Sequence, residues 1–176
     1  VHLMKRPLRE AMFNSLFNPT QCLVRTAAVQ ATGGCDERVV FSQEYSMTMR
    51  LARVHDFLKV DAPIAFLPDE VEGRLSNNQG RQLQRVTRTL MYFLQDYPDI
   101  PNDLKQQVCK RAAFRGWKYA KRIGGESWLT SPAFWRQMRA LLPIRTGHAE
   151  FIEKCCSVYD GAAESAHLKR PDRNRG

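Results

Sequence analysis

The sequence is short of acid: 18 Asp and Glu face 27 Lys and Arg, a net charge of +9. That imbalance favours an anionic partner, whether a nucleotide, a phospholipid headgroup or a nucleic acid. Long apolar runs are missing too, and none approaches the roughly 18 residues that a membrane-crossing helix needs. The opening VHLMKRPLRE has no apolar segment ending in a small-residue cleavage site, so it does not read as a secretory signal. The five cysteines form no CxxC pair, and adjacent Cys155 and Cys156 are poorly spaced for zinc or for a mutual disulfide. Reduced thiols in a cytosolic protein are the expectation. His2, His55, His148 and His167 fall at no metal-ligand spacing and beside no nucleophile motif. GxSxG, HExxH and a phosphate-cradling glycine loop do not occur, which removes the usual marks of serine hydrolases, zinc peptidases and P-loop enzymes.

What remains is an ordinary globular composition, 176 residues long and 43% hydrophobic, enough for one domain with a real core. The chain begins without Met and runs almost directly into a helical pattern, as a piece of a longer protein would. Leu8, Met12 and Leu16 predict a helix over residues 3–17, stopped by Asn18-Pro19. TQCLVR at 20–25 predicts a short strand. Thr26 is placed to cap a helix over 27–32 that Gly33 ends in a left-handed conformation. Ser42 is placed to cap a helix running to about His55, with Tyr45, Met49 and Ala52 on one stripe and Met47, Leu51 and Val54 on another. FLKVDAPIAFL at 57–67 predicts two extended pieces bent at Pro63. Strand, helix, loop, helix, strand is α/β grammar.

From residue 76 the pattern turns helical. Ser76 or Asn77 caps a long helix whose Leu83, Val86, Leu90, Phe93, Leu94 and Tyr97 form a core stripe. Asn102 or Asp103 caps another, reaching about Ile123. Ser131 and Pro132 open a third, with Phe134, Met138, Leu141 and Leu142 facing inward. A last helix covers 148–158. The expected divisions are 1–75, 76–160 and a disordered tail at 161–176 with almost no core-forming residues.

Two constellations carry chemistry. Arg111, Arg115, Lys118 and Arg122 recur at spacings of four, three and four, so they share one helix face. Such a face is a solvated surface, a contact for anionic lipid, or a contact for a phosphate backbone. No recognisable nucleic-acid module accompanies it, so no nucleic acid is expected. The second is the stretch at 33–53, GGCDERVVFSQEYSMTMRLAR. It joins a glycine pair to a helix whose first turn carries Glu44. A carboxylate there is stabilised by the helix dipole, and at a cleft mouth it can take a hydroxyl proton.

That stretch resembles the C-terminal half of the catalytic domain of family 2 glycosyltransferases. Gly33, Gly34, Asp36 and Glu37 match the family's Gly-Gly-Phe-Asp-Glu turn, with Cys35 at the aromatic position. Arg50, Leu51 and Ala52 match the end of its helix. Gly73-Arg74-Leu75-Ser76 resembles the following Arg-containing loop, without the histidine often found there. The family's Glu-Asp pair is Gln43-Glu44, followed by Tyr45-Ser46. The likeness covers about residues 10–80.

The resemblance implies an α/β fold of the GT-A type, present in part and followed by a helical extension. It implies an inverting, hexosyltransferase-like enzyme of cell-envelope polysaccharide synthesis, cytoplasmic and peripheral at the inner face of the membrane. An acceptor hydroxyl, on a saccharide or a lipid-linked acceptor, would attack a nucleotide-diphosphate sugar. Glu44 would be the base, Gly33, Gly34, Asp36, Glu37 and Gln43 the cleft, and Arg74 a phosphate contact. A divalent metal, Mg or Mn, is implied, but its Asp-x-Asp motif and the nucleotide-binding strands lie outside this sequence. The isolated piece is expected to be inactive. The competing reading is a non-catalytic, degenerate transferase-like or basic helical module that binds an anionic surface.

Overall fold

The computed structural model describes residues 1–39, 43–63, 79–123, 127 and 129–160. These form a mainly α-helical fold with one small antiparallel ribbon. In chain order they are β1 (His2–Met4), α1 (Leu8–Phe13), a 3-10 turn at Pro19–Gln21, α2 (Thr26–Ala31), α3 (Gln43–Val54), β2 (Phe57–Lys59), α4 (Gln79–Asp96), α5 (Asn102–Ile123), α6 (Pro132–Leu141) and α7 (His148–Cys156). A 3-10 turn at Ser157–Tyr159 follows. β1 and β2 pair with His2 opposite Lys59, Leu3 opposite Leu58 and Met4 opposite Phe57.

The α/β expectation is met in part: the helical extension is present, and the strands occur as one small ribbon. The described residues form no parallel sheet and no GT-A-type layer, only this two-stranded ribbon. Helix 3–17 shrinks to Leu8–Phe13 because residues 2–4 find β-partners in 57–59 instead. The connection is sharp: Arg6 takes a φ of +39° and its N–H donates to the Asp56 carboxylate at 3.0 Å. Long-range pairing overrides local periodicity, as tertiary context commonly does. The predicted strand at 20–25 is a 3-10 turn and irregular chain. It has no strand partner among the described residues, and Leu23 lies fully in solvent. The second half of 57–67 and the caps at Ser42, Ser76 and Asn77 lie outside the described residues, as does the tail.

The helical half follows the expected grammar. In α4, Leu90, Phe93 and Leu94 are buried and Val86 and Tyr97 pack beside them. α4 packs on α7, and α5 packs on α6 and α7. α5 approaches α7 closely because Ala112, Ala113, Gly116 and Ala120 keep that face small. A methyl at Gly116 would stand 3.6 Å from the Cys155 carbonyl oxygen. Ser131 caps α6 as expected, its hydroxyl accepting from the N–H of Ala133 at 3.2 Å and of Phe134 at 3.3 Å. Pro132 stands at the first helical position, where a missing N–H costs nothing. Leu141 and Leu142, expected inside, face solvent, because α6 ends at Leu141 and Leu142 is already extended.

One apolar cluster joins the two halves. Met12 of α1 and Tyr45, Met49 and Ala52 of α3 meet Leu90 and Phe93 of α4, Val108 and Ala112 of α5, and Ile152 and Cys155 of α7. Cys109, Cys155 and Cys156 are unpaired thiols in this core, and burial pushes them up to about 12, 11 and 12. They behave as small apolar side chains.

Leu90→Ala is expected to lose about 2–5 kcal/mol of stability, as a buried leucine truncation does. Leu141→Ala is expected to stay within about 0.5 kcal/mol, as an exposed substitution does. Urea unfolding of both variants checks the orientation of α6 against that of α4.

Candidate functional site

The glycine turn is built by its own backbone. Thr32 follows the last residue of α2, and the helix closes with a Schellman arrangement: Gly33 N–H donates to the Gln30 carbonyl at 3.1 Å and Gly34 N–H to the Val29 carbonyl at 2.9 Å. Both glycines have positive φ, +82° and +67°. A side chain at either would be strained by roughly 1–2 kcal/mol. The Thr32 hydroxyl bonds back to the Ala28 and Val29 carbonyls at 3.1 and 3.0 Å. Thr26 does not cap this helix; it is the first helical residue, and Arg25 precedes it without a side-chain bond.

The acidic residue of the turn is fully engaged. Asp36 accepts from the Arg38 backbone N–H at 3.1 Å, from its Nε at 2.9 Å and from its Nη2 at 2.8 Å. Hydrogen bonds from Arg38 hold the Asp36 carboxyl below its ordinary value, with the charges of Arg38 and Arg50 acting the same way and desolvation opposing. Arg38 reaches further, to both carboxylate oxygens of Asp96 at the end of α4, and stacks on Tyr92 with 4.7 Å to the ring centre. It is therefore a latch between the turn and α4. Arg50 lies under the turn and donates to the Thr32 carbonyl at 3.3 Å. Its Nε and Nη2 are buried with no hydrogen-bond partner.

Glu37 and Gln43 are exposed, and Glu44 is half-buried in the first turn of α3. The Glu44 backbone carbonyl accepts from Thr48 Oγ1 at 2.5 Å. Its carboxylate makes no hydrogen bond or ion pair with any described residue. Arg74 lies outside the described residues. Gly33, Gly34, Asp36 and Glu44 thus belong to one continuous segment, but Asp36 serves the latch rather than an open cleft. Among the described residues no group of three or more His, Cys, Asp or Glu stands together to seat Mg or Mn, and Asp36 is already occupied by arginine. The described residues do not fit a metal site.

The basic face, in contrast, is assembled. Arg111, Arg115, Lys118 and Arg122 line one groove of about 320 Å³ together with Leu83 of α4 and Phe114 and Tyr119 of α5. Arg111 stacks on Phe13 of α1, with 5.1 Å from guanidinium carbon to ring centre. Burial first, and the neighbouring Arg115 charge second, push Arg111 below its ordinary value. None of the four makes an ion pair with a described carboxylate, whereas Arg9, Arg38, Arg53 and Arg88 all do. Phe114 was missed from the sequence although it sits three residues after Arg111 and four before Lys118. An apolar residue on the charged face was the signal. For Arg38, Asp36 two residues earlier was visible, but Asp96, 58 residues away, was not.

Tyr45 connects the two regions. Its hydroxyl donates to the Met12 carbonyl at 2.5 Å. Burial pushes it up to about 12, and the nearby Arg115 and Arg111 charges oppose that shift.

The latch makes a pH prediction. Asp36 has a lowered folded value, so its pairing stabilises the fold above the unfolded carboxylate range, near 3.9, and is lost as pH falls through the folded value. Arg38→Ala should cost about 1 kcal/mol at pH 7, since Arg38 is partly in solvent. In urea unfolding, the gap to the parent protein should close as pH falls from about 4 toward 2. A gap unchanged at the acid end would mean that Arg38 acts by packing alone.

Among the described residues no helix is long and apolar enough to cross a membrane. Comparison with family models, with curated proteins and with solved structures finds no match.

Proposed function

We propose that the chain is the acceptor-side portion of a family 2 glycosyltransferase-like enzyme of the GT-A type. The observation that carries this is the Gly33-Gly34 turn. Its two positive φ values require glycine, and it leads through a latched Asp36 to a helix whose first-turn carboxylate, Glu44, pairs with no described residue. A carboxylate that no described cation neutralises is available to accept the proton of an attacking acceptor hydroxyl. The nucleotide-diphosphate sugar would be held by a nucleotide-binding half outside this sequence. On this reading the protein is cytoplasmic, with the α5 face toward the inner membrane surface and a saccharide or lipid-linked acceptor.

The test is Glu44→Gln in the full-length gene product. Turnover of a nucleotide-sugar donor should fall by about 10²–10⁴-fold, the range for loss of a general base. Thermal unfolding should be unchanged, because the Glu44 carboxylate makes no described contact. Unaltered transfer removes Glu44 as base.

The unneutralised groove favours a second reading, a non-catalytic module that docks on an anionic surface. Each cation near an anionic bilayer contributes roughly 1 kcal/mol. Replacing Arg111, Arg115, Lys118 and Arg122 by Gln should therefore release the protein from phosphatidylserine vesicles in a co-sedimentation assay. Equal pelleting of parent and variant protein would sink the membrane role.

A further inference from the structure

The described lining of the α5 groove offers its ligand two main kinds of contact. One is cationic, from Arg111, Arg115, Lys118 and Arg122; the other is apolar, from Phe114, Leu83 and the ring of Tyr119. Among the described residues no Asp, Glu, Asn or Gln lines it, and the Tyr119 hydroxyl is its one uncharged polar side-chain group. Phe114 is 51% exposed, a large aromatic surface left in water beside four charges. Arg111 and Arg115 line the same groove close enough to repel, with the Phe13 ring stacked on the Arg111 guanidinium. Like charges held together without a counter-ion cost free energy that a bound anion recovers. The volume, about 320 Å³, sits at the small end of the roughly 300–1,000 Å³ of ligand pockets.

We infer that this groove is a discrete site for one phosphorylated lipid, its phosphate held by Arg111 and Arg115 and the start of its hydrocarbon chain laid against Phe114 and Leu83. The guanidinium groups suit a phosphate by paired N–H donors. The apolar lining, with Phe114 half in water, suits methylenes. A free nucleotide can stack its base on Phe114 but leaves the hydrogen-bonding edges of that base and most of its sugar hydroxyls without a described partner, whereas a hydrocarbon chain has none to satisfy. This deepens the anionic-surface reading and does not depend on transferase activity.

The experiment is titration of the full chain, by calorimetry, with a short-chain phosphatidate below its micelle concentration. Dihexanoyl phosphatidylcholine, inorganic phosphate and adenosine monophosphate serve as comparators. Saturable one-to-one binding of the phosphatidate is expected, at least about tenfold tighter than inorganic phosphate, since burying two methylenes already supplies that factor. Phosphatidylcholine, without net charge, should not bind. Arg115→Gln should weaken phosphatidate and phosphate together. Phe114→Ser should weaken phosphatidate alone, and Lys118→Gln, at an exposed position, gives a second charge variant whose folding is not in question.

Equal affinity for phosphate and phosphatidate, or a Phe114→Ser variant with parental phosphatidate affinity, overturns the lipid assignment. Tighter binding of adenosine monophosphate overturns it in favour of a nucleotide. Pelleting with phosphatidylserine vesicles without saturable short-chain binding overturns the discrete site and leaves the anionic-surface reading standing. Failure of both ends both.

Discussion

Burying a tyrosine hydroxyl without an acceptor is costly, and the fold of the first 60 residues turns on how Tyr45 avoids that cost. The Met12 carbonyl accepts its proton, at the point where α1 is about to end and its carbonyls lose their helical partners. One bond thereby sets the seat of α3 on α1. Met49 and Ala52 on the same stripe are then carried into the core against α4 and α5, each fully buried. Phe13, the last residue of α1, is left beside Arg111. The glycine turn and the basic groove depend on this joint, the first because α3 follows it in the chain and the second because Phe13 of α1 holds Arg111 of the groove lining.

Local features were readable where the interaction spans one turn of chain. The Schellman close at Gly33 and Gly34, the Ser131 cap and the α4 stripe of Leu90, Phe93 and Leu94 all involve partners within about four or five residues, and periodicity reveals them. The features that escaped depend on distant partners. Residues 2–4 carry a helical pattern but pair with 57–59, and nothing in either segment announces the other. Residues 20–25 look β-like and find no edge to join. Leu141 and Leu142 continue the apolar pattern of α6 past the point where the helix stops. Of the candidate site, the spacing of Arg111, Arg115, Lys118 and Arg122 correctly placed them on one face. That Leu83 of α4 closes a groove over them required the packing of two helices.

The arginines divide into two populations, and the division carries more information than the net charge. Arg9, Arg38, Arg53 and Arg88 each bridge separate elements through a carboxylate: Asp103, Asp36 and Asp96, Asp99, and Asp160. All four are partly in solvent, so each bridge contributes at most about 1 kcal/mol; three tie the N-terminal elements to the end of α4, the turn after it and the start of α5, and Arg88 ties α4 to Asp160 after α7. The basic residues of the α5 face are excluded from this scheme. The bridging carboxylates stand away from the α5 face, which no described carboxylate neutralises.

Glu44 and the α5 cations are of opposite sign, lie on packed neighbouring regions, and yet do not pair. Helix geometry explains the separation. Successive side chains leave an α-helix about 100° apart, so Tyr45 and Glu44 cannot address the same neighbour. Tyr45 takes the inward direction, bonding Met12 and feeling the Arg111 and Arg115 charges, whereas the Glu44 carboxylate pairs with no described cation. Among the described residues the buried tyrosine thus stands between a carboxylate and a cationic groove that do not pair. The proposed carboxylate site and the proposed anion site, 60 to 80 residues apart in sequence, therefore do not neutralise each other.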